Sequence, residues 1–278
     1  MKTSYETLLY EEDEGVAIVT LNRPEVHNSF NIAMQKELRE LWTGLRWNED
    51  VRVVVLTGAG EKAFCTGIDR LEAIEESYLE HKVLDPMRAG PVPTGQGFMH
   101  NDPGAYINPK ANDMWKPVIA AVNGMACGGA LYILGESDII IAAEHATFFD
   151  PHVTYGMVAA FESVHLLQKL PLGETMRLAL MGAHERMSAE RAHQLGLVSE
   201  ITPKAELMER AMWVARAIAS APPNAIQGTV RAVWLAHELN RRDAMAQVSS
   251  FIVLGTQFDT IAEGQETFKG ERIEWRLR

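Results

Sequence analysis

The stretch PVIAAVNGMACGGALYILGESD, from Pro117 to Asp138, constrains this chain most. It begins as a continuous apolar run, Val118 to Val122, short enough for a buried strand. Asn123-Gly124 follows, a dipeptide suited to positive φ and so to a turn. A second pair, Gly128-Gly129, opens an apolar segment whose pattern predicts a helix from Ala130 to about Glu136. A strand, a glycine turn and a helix start leave backbone N–H groups unpaired at the positive end of the helix dipole. Glycine at that place lets a ligand come close to the backbone. The segment is therefore expected to hold an anion.

Composition narrows the class. A chain of 278 residues, 47% hydrophobic and 23% charged, is expected to form one large domain, or one domain with an appendage. No apolar run reaches the roughly 18–20 residues of a membrane span. The opening MKTSYETLLYEEDEG is acidic and lacks an apolar core, so neither a secretory signal nor a transit peptide is expected. Two cysteines, Cys65 and Cys127, make no disulfide framework, and a reducing cytoplasm is the expected compartment. A formal charge of −11 argues against nucleic acid as the main partner, though one helix end and a few local cations suffice for a small anion. The nine histidines are scattered without an HExxH or Cys/His cluster, so no metal site is expected.

Residues 5–10 and 16–21 read as a hairpin around the acidic turn EEDEG. After the loop LNRPEVHNSFN, Asn31 is a good N-cap for a helix from Ala33 to about Trp47, with Met34, Leu38, Leu41, Trp42 and Leu45 on its core face. Val51 to Gly58 reads as a buried strand, Leu71 to Tyr78 as a short helix and 85–113 as a long irregular loop. Asp138 to Glu144 is another buried strand. Helices are expected at 161–170 and 174–181, then one closed by Gly196, then at 204–220, 223–239, 242–255 and 260–272. Thr260 and Glu263 are spaced as a capping box for the last. The pattern suggests a core at 1–203 and a helical appendage at 204–278.

Several segments in this order resemble the crotonase (enoyl-CoA hydratase/isomerase) superfamily: LNRPEVHNSFN at 21–31, AFCTGIDR at 63–70, KPVIAAVNGMACGGALYILGESDIIIA at 116–142, RMSAERAHQLGLVSEI at 186–201 and EGQETFKGER at 263–272. The resemblance implies an α/β spiral of ββα units, with C-terminal helices that build trimers or hexamers. It implies a coenzyme A thioester as substrate and no separate cofactor. It also implies an oxyanion hole of two backbone N–H groups, which by position fall on Ile68 and Gly129. Such preorganised donors commonly contribute a few kcal/mol to a transition state. For CoA contacts it points to Val26, His27, Thr66 and Asp69, with Phe268 near the adenine across the trimer. The family's final helix often ends in Glu-Lys-Arg; here Gly270-Glu271-Arg272 lacks one of those cations.

The departures concern the chemistry. Where hydratases of the family carry two glutamates, the matching positions here are Tyr132 and His152. Neither reproduces a carboxylate near its usual pKa. An imidazole at His152 can still move a proton at neutral pH, and Tyr132 can donate a hydrogen bond or wall the acyl pocket. Asp150 either orients His152 or starts the turn, while Glu136 and Glu162 are the other acids that could substitute, with a solvated or structural place the commoner one for such residues. Asp138 is expected to fix a helix-to-strand connection. The cysteines read as small fillers, and Met125, Met157, Phe148 and Phe149 are candidates for the acyl wall or for core. The residues point to an acyl-CoA enzyme of isomerase or lyase type with His152 as acid/base. The alternatives are a β-diketone or β-keto-thioester C–C hydrolase and a non-catalytic acyl-CoA-binding protein.

Overall fold

A computed structural model describes residues 4–74, 103–270 and 273–277. Its apolar runs form a six-stranded sheet from β1 (Leu8–Asp13), β2 (Val16–Leu21), β3 (Val53–Gly58), β5 (Val118–Val122), β7 (Ile139–Ala143) and β10 (Glu200–Thr202), in that order. β1 and β2 pair antiparallel, and the other neighbours are parallel. A second sheet orders β4 (Ala63–Cys65), β6 (Met125–Cys127), β8 (Thr147–Phe149) and β9 (Met187–Ser188). Each winding thus gives one strand to the large sheet and the next to the small one, β3 with β4, β5 with β6 and β7 with β8. This is the expected ββα spiral.

The strand sequences are apolar throughout because the large sheet is covered on both faces. Val54, Leu56, Val118, Ala120, Val122 and Ala142 face the main core, where Trp42 and its neighbours on the Ile32–Trp47 helix pack. Val53, Val55, Ile119, Ala121, Ile141 and Ala143 alternate to the other face, under the Leu207–Ala219 helix. That helix, the first of the last quarter of the chain, buries Leu207, Ala211, Ala215 and Ala219. Of the helices that follow, Pro223–Glu238 keeps its apolar side chains mostly half-buried, whereas Arg241–Gly255 and Phe258–Lys269 leave most of theirs exposed, Ile252, Val253, Leu254 and Phe258 among them. No helix among the described residues is long and apolar enough to cross a membrane.

Asn31 caps its helix as expected, its side chain accepting from the Met34 amide at 2.9 Å. Three expectations are corrected. The acidic EEDEG is not the hairpin turn: Glu11 to Asp13 belong to β1, and Glu14-Gly15 alone makes the turn with φ of 48° and 79°. A two-residue hairpin loop of this kind needs positive φ at both positions, which Gly15 takes without strain. The last helix starts at Phe258 with Gln257 at its N-cap, so Thr260 lies inside it and the capping box does not form. The described part of the expected irregular loop is ordered, with a Gly104–Ile107 helical turn that buries Tyr106 and Ile107 beneath Trp42; the Trp42 indole donates to the Ile107 carbonyl at 2.8 Å. Residues 75–102, which hold the rest of that loop and of the Leu71–Tyr78 helix, lie outside the described residues, as do Glu271 and Arg272.

Asp138 ties this frame together. Its carboxylate accepts from the Val118 amide at 2.7 Å, Lys110 Nζ at 2.9 Å and Trp234 Nε1 at 2.6 Å, joining β5, the 110 turn and the Pro223–Glu238 helix. Lys110 is nearly buried, with 6% of its side chain exposed. Asp138→Ala leaves that ammonium and an indole N–H without their acceptor, and the expected loss is about 3–5 kcal/mol. Urea unfolding of the two proteins measures it; a loss under about 1 kcal/mol would contradict the tie.

Candidate active site

The three parallel strands of the small sheet end side by side, and the loops leaving those ends build the site. β4 runs into Thr66-Gly67-Ile68, β6 into Gly128-Gly129, and β8 into Asp150-Pro151-His152. Ligands of parallel sheets commonly lie outside the carboxyl ends of the strands. A cavity of about 510 Å³ opens there, lined by Phe30, Thr66, Gly67, Ile68, Gly129, Tyr132, His152 and Glu162, among others.

Two amides face it. Phe30 and Ile68 form a parallel bridge in which the Phe30 amide donates to the Gly67 carbonyl at 2.8 Å and the Asp69 amide to the Phe30 carbonyl at 3.0 Å. That pattern turns the Ile68 N–H away from Phe30. Gly129 stands at the start of the Ala130–Glu136 helix, where N–H groups have no partner within the helix. Among the described residues neither amide donates a hydrogen bond within the protein. Their approach depends on glycine. Gly67 has φ of 83°, and a Cβ added to it would stand 2.7 Å from the Gly129 nitrogen. A Cβ on Gly129 would stand 2.5 Å from the buried Phe30 ring.

The proton-carrying groups lie beside this pair. His152 turns Nδ1 to Asp150 Oδ1 at 2.5 Å, and the Asp150 carboxylate also accepts from the His152 amide at 3.1 Å. A fully buried carboxylate holding Nδ1–H fixes the tautomer and leaves Nε2 to the cavity. Nε2 stands 3.4 Å from Glu162 Oε1, and the Tyr132 hydroxyl hydrogen-bonds the Glu162 carboxylate. Burial disfavours the imidazolium, but the Asp150 hydrogen bond and the Glu162 and Asp150 charges outweigh it, so the His152 pKa lies above the usual 6.5. Burial also raises Glu162 above the usual carboxylate range, against the opposing pull of His152 and the Tyr132 hydrogen bond. Nε2 and Oε1 thus face each other at 3.4 Å, and Glu162 Oε1 has no hydrogen-bond partner among the described residues.

Ligand atoms of Asp150, His152 and Glu162 lie within 4.8 Å of one another, a spacing that can gather a metal ion. The 2.5 Å contact at Nδ1 is a hydrogen-bond distance, shorter than the separation of two ligands each about 2.0–2.2 Å from one ion. With Nδ1 taken by Asp150, Nε2 and Glu162 remain to meet at a common point.

The remaining sequence candidates divide clearly. Ile68, Gly129, Tyr132, His152 and Thr66 line the cavity together. Thr66 donates to the His27 carbonyl at 3.3 Å, and His27, with φ of 57°, closes the short 3-10 turn Pro24–Val26. The Asp69 side chain pairs with Arg23 at 2.8 Å and accepts from the Leu71 amide, so it is held by the protein itself. Phe268 sits on the last helix, 59% exposed. Met157 lines the cavity, whereas Phe148 is buried in the main core and Phe149 lies under the Arg186 guanidinium. Burial pushes both cysteine thiols up to about 12, which leaves them inert fillers at neutral pH. Glu136 accepts from the Lys110 and Ala111 amides at 2.6 and 3.0 Å and is structural. Glu162, weighed as a substitute acid against a solvated or structural place, is 2% exposed and lines the cavity. Arg70, Tyr155 and Phe161 also line the cavity; as isolated residues in a loop or at a helix start they gave no signal in the sequence.

A ββα spiral with a cavity at the carboxyl ends of its small sheet is the frame of a class of acyl-CoA-processing enzymes. The enoyl-CoA hydratase/isomerase family profile matches residues 11–87 and 105–276, and the chain belongs to that family. It is 36% identical over 266 residues to the (E)-benzylidenesuccinyl-CoA hydratase of Thauera aromatica, covering 94% of this chain and 95% of the relative. The 1,2-epoxyphenylacetyl-CoA isomerase of Escherichia coli K12 is 34% identical over 78% of this chain and 78% of its own. Among solved structures, an enoyl-CoA hydratase/isomerase from Mycobacterium paratuberculosis superposes with a TM-score of 0.84 at 36% identity, covering 99% of this chain and 100% of that one.

Gly67→Ala places a methyl group against the Gly129 amide and forces φ of 83° on an L-residue. Loss of one oxyanion donor costs about 10²–10³ in kcat, and that is the expected effect on turnover of acyl-CoA substrates, with an unchanged fold by circular dichroism. Turnover within threefold of the parent would show that the hole lies elsewhere.

Proposed function

We propose that this enzyme catalyses the reversible hydration of an α,β-unsaturated acyl-CoA with a ring-bearing acyl group, using His152 and Glu162 where hydratases of the family use two glutamates. One observation carries this reading: two proton-carrying groups stand 3.4 Å apart in the same cavity as the unpaired Ile68 and Gly129 amides. The first relative named above hydrates an acyl group that bears an aromatic ring. The aromatic wall of Phe30, Tyr132, Tyr155 and Phe161 suits such a group.

In the hydration direction, the thioester oxygen accepts from the Ile68 and Gly129 amides. His152 Nε2 takes a proton from water as its oxygen bonds to the β-carbon, and the electrons of the double bond move to the thioester oxygen. The enolate is held by the two amides and by the helix dipole behind Gly129. Glu162, whose burial favours its protonated form, gives its proton to the α-carbon. The imidazolium then returns its proton to Glu162 across the 3.4 Å gap, and the pair is reset. Asp150 keeps the ring oriented throughout.

CoA is the handle of the substrate and no separate cofactor enters these steps. The loop of Val26 and His27, with Thr66 beside it, is well placed for the pantetheine and adenine ends, with Phe268 contributed by a neighbouring copy in a homotrimer or hexamer. The exposed apolar side chains of the last three helices support such an assembly. A second reading, isomerisation with His152 as the only base, is favoured by the Escherichia coli relative named as an isomerase.

The experiment is turnover of cinnamoyl-CoA, benzylidenesuccinyl-CoA and a β-keto-acyl-CoA in H₂¹⁸O, with products identified by mass. Incorporation of ¹⁸O at the β-carbon is expected. Carbon-bound deuterium from D₂O without ¹⁸O would overturn hydration in favour of isomerisation, and chain cleavage would mark a C–C hydrolase. Tight CoA-ester binding without any turnover would mark a binding protein. His152→Ala is expected to abolish turnover while CoA-ester affinity changes by less than tenfold, and Glu162→Gln to lose at least a hundredfold in kcat, as general acid–base groups commonly contribute 10²–10⁴. Wild-type activity in either variant would remove that residue from the mechanism.

The pH dependence has a definite sign. Hydration needs neutral His152, whose pKa is raised above 6.5, so kcat/KM is expected to climb through a pH above 6.5. Asp150→Asn removes the hydrogen-bonded carboxylate that raises it and leaves burial less opposed, so the acid limb is expected to move to lower pH. A limb that stays in place or moves upward would show that another group titrates.

A further inference from the structure

Among the described residues lining the cavity, the charges do not balance locally. Asp150, His152 and Glu162 engage one another. The other charged side chain among the described lining residues is Arg70, and among the described residues no carboxylate pairs with it. The acids closest to it in sequence are engaged elsewhere: Asp69 with Arg23 at 2.8 Å, and Glu72 with the Ile32 amide at 2.9 Å. The Arg70 guanidinium carbon stands 3.9 Å from the centre of the Tyr155 ring. Stacking of this kind fixes the plane of the guanidinium and leaves its N–H groups directed outward from the ring edge, ready for a planar anion.

Two further relations place it against the acyl group. His152 and Tyr155 are three residues apart in the 3-10 turn His152–Tyr155. In that geometry side chains at i and i+3 eclipse, so the ring that carries Arg70 stands on the same side as the imidazole. Arg70 also follows the oxyanion donor Ile68 by two residues, about 7 Å of chain at most. A group bonded near the reacting carbons of a thioester held at Ile68 is thus within reach of the guanidinium. The rest of that wall, Phe30, Tyr132, Met157, Val158 and Phe161, is aromatic or apolar.

We propose that Arg70, stacked on Tyr155, is a specificity-determining residue that selects acyl-CoA substrates whose acyl group carries a second carboxylate. The proposal rests on the reading of this cavity as the acyl-CoA site. A bidentate arginine–carboxylate pair is strong and directional, whereas an uncharged acyl group leaves the exposed guanidinium to water. The CoA phosphates are the other anions in such a substrate, and the experiment separates the two.

Wild type, Arg70→Met and Arg70→Lys are compared on benzylidenesuccinyl-CoA and on the methyl ester of its free carboxylate, which carry the same CoA. The wild type is expected to favour the free acid by on the order of ten- to a hundredfold in kcat/KM, mostly through KM. Arg70→Met is expected to bring that ratio to near one, and Arg70→Lys to restore part of it. A ratio unchanged in Arg70→Met, or an equal loss on acid and ester, would overturn the proposal, the latter pointing to a CoA-phosphate contact. Binding of the saturated benzylsuccinyl-CoA and its methyl ester is measured by calorimetry on the same proteins. The affinity ratio reads Arg70 without turnover, so failure of the hydration reading and failure of this one are told apart.

Discussion

The site depends on the contact between two backbones. Gly67 and Gly129 stand so close that a Cβ on the first would fall 2.7 Å from the nitrogen of the second. They lie at the ends of adjacent parallel strands, β4 and β6, and the spiral brings those ends together because each winding sends its second strand into the small sheet. The large sheet beneath is packed on both faces, so the strand ends have little freedom to shift. Two amides held in this way meet a developing oxyanion without having to reorganise, which is where such donors do most for a reaction.

Around that fixed pair the chemistry is set by burial and by who neighbours whom. Asp150 is buried and bonded to Nδ1, so His152 presents a single nitrogen to the cavity. Glu162 is buried opposite that nitrogen, which favours a proton staying on the carboxyl group. Tyr132 holds the Glu162 carboxylate by a hydrogen bond. That carboxylate comes from the Phe161–Leu167 helix and stands 3.4 Å from the imidazole.

Much of the frame was legible from pattern. The apolar runs at 53–58 and 118–122 have the length and composition of strands buried on both faces, and they are such strands. Asn31 signalled a helix start because a short side-chain acceptor satisfies an early amide, and it does. Thr260 and Glu263 signalled a start that is not there, since capping-box spacing recurs by chance and the helix reaches back to Phe258. The acidic hairpin was misplaced for a related reason. Charged residues mark exposure, whereas a two-residue turn is decided by φ, and only Gly15 declared that.

The sequence by itself singled out Ile68, Gly129 and His152, through motifs that resemble a family, and the fold gathers the three at one cavity. Glycines at strand ends and an imidazole after Asp-Pro are local features, set by backbone freedom and by side-chain pKa. Only the tertiary structure decided what surrounds them. Glu162 faces His152 because a turn and the Phe161–Leu167 helix fold back over the cavity, and Arg70 meets Tyr155 across two loops far apart in the chain. Whether a carboxylate is solvated or a buried proton carrier depends on what packs against it, and that is a property of the packed fold which no local pattern carries.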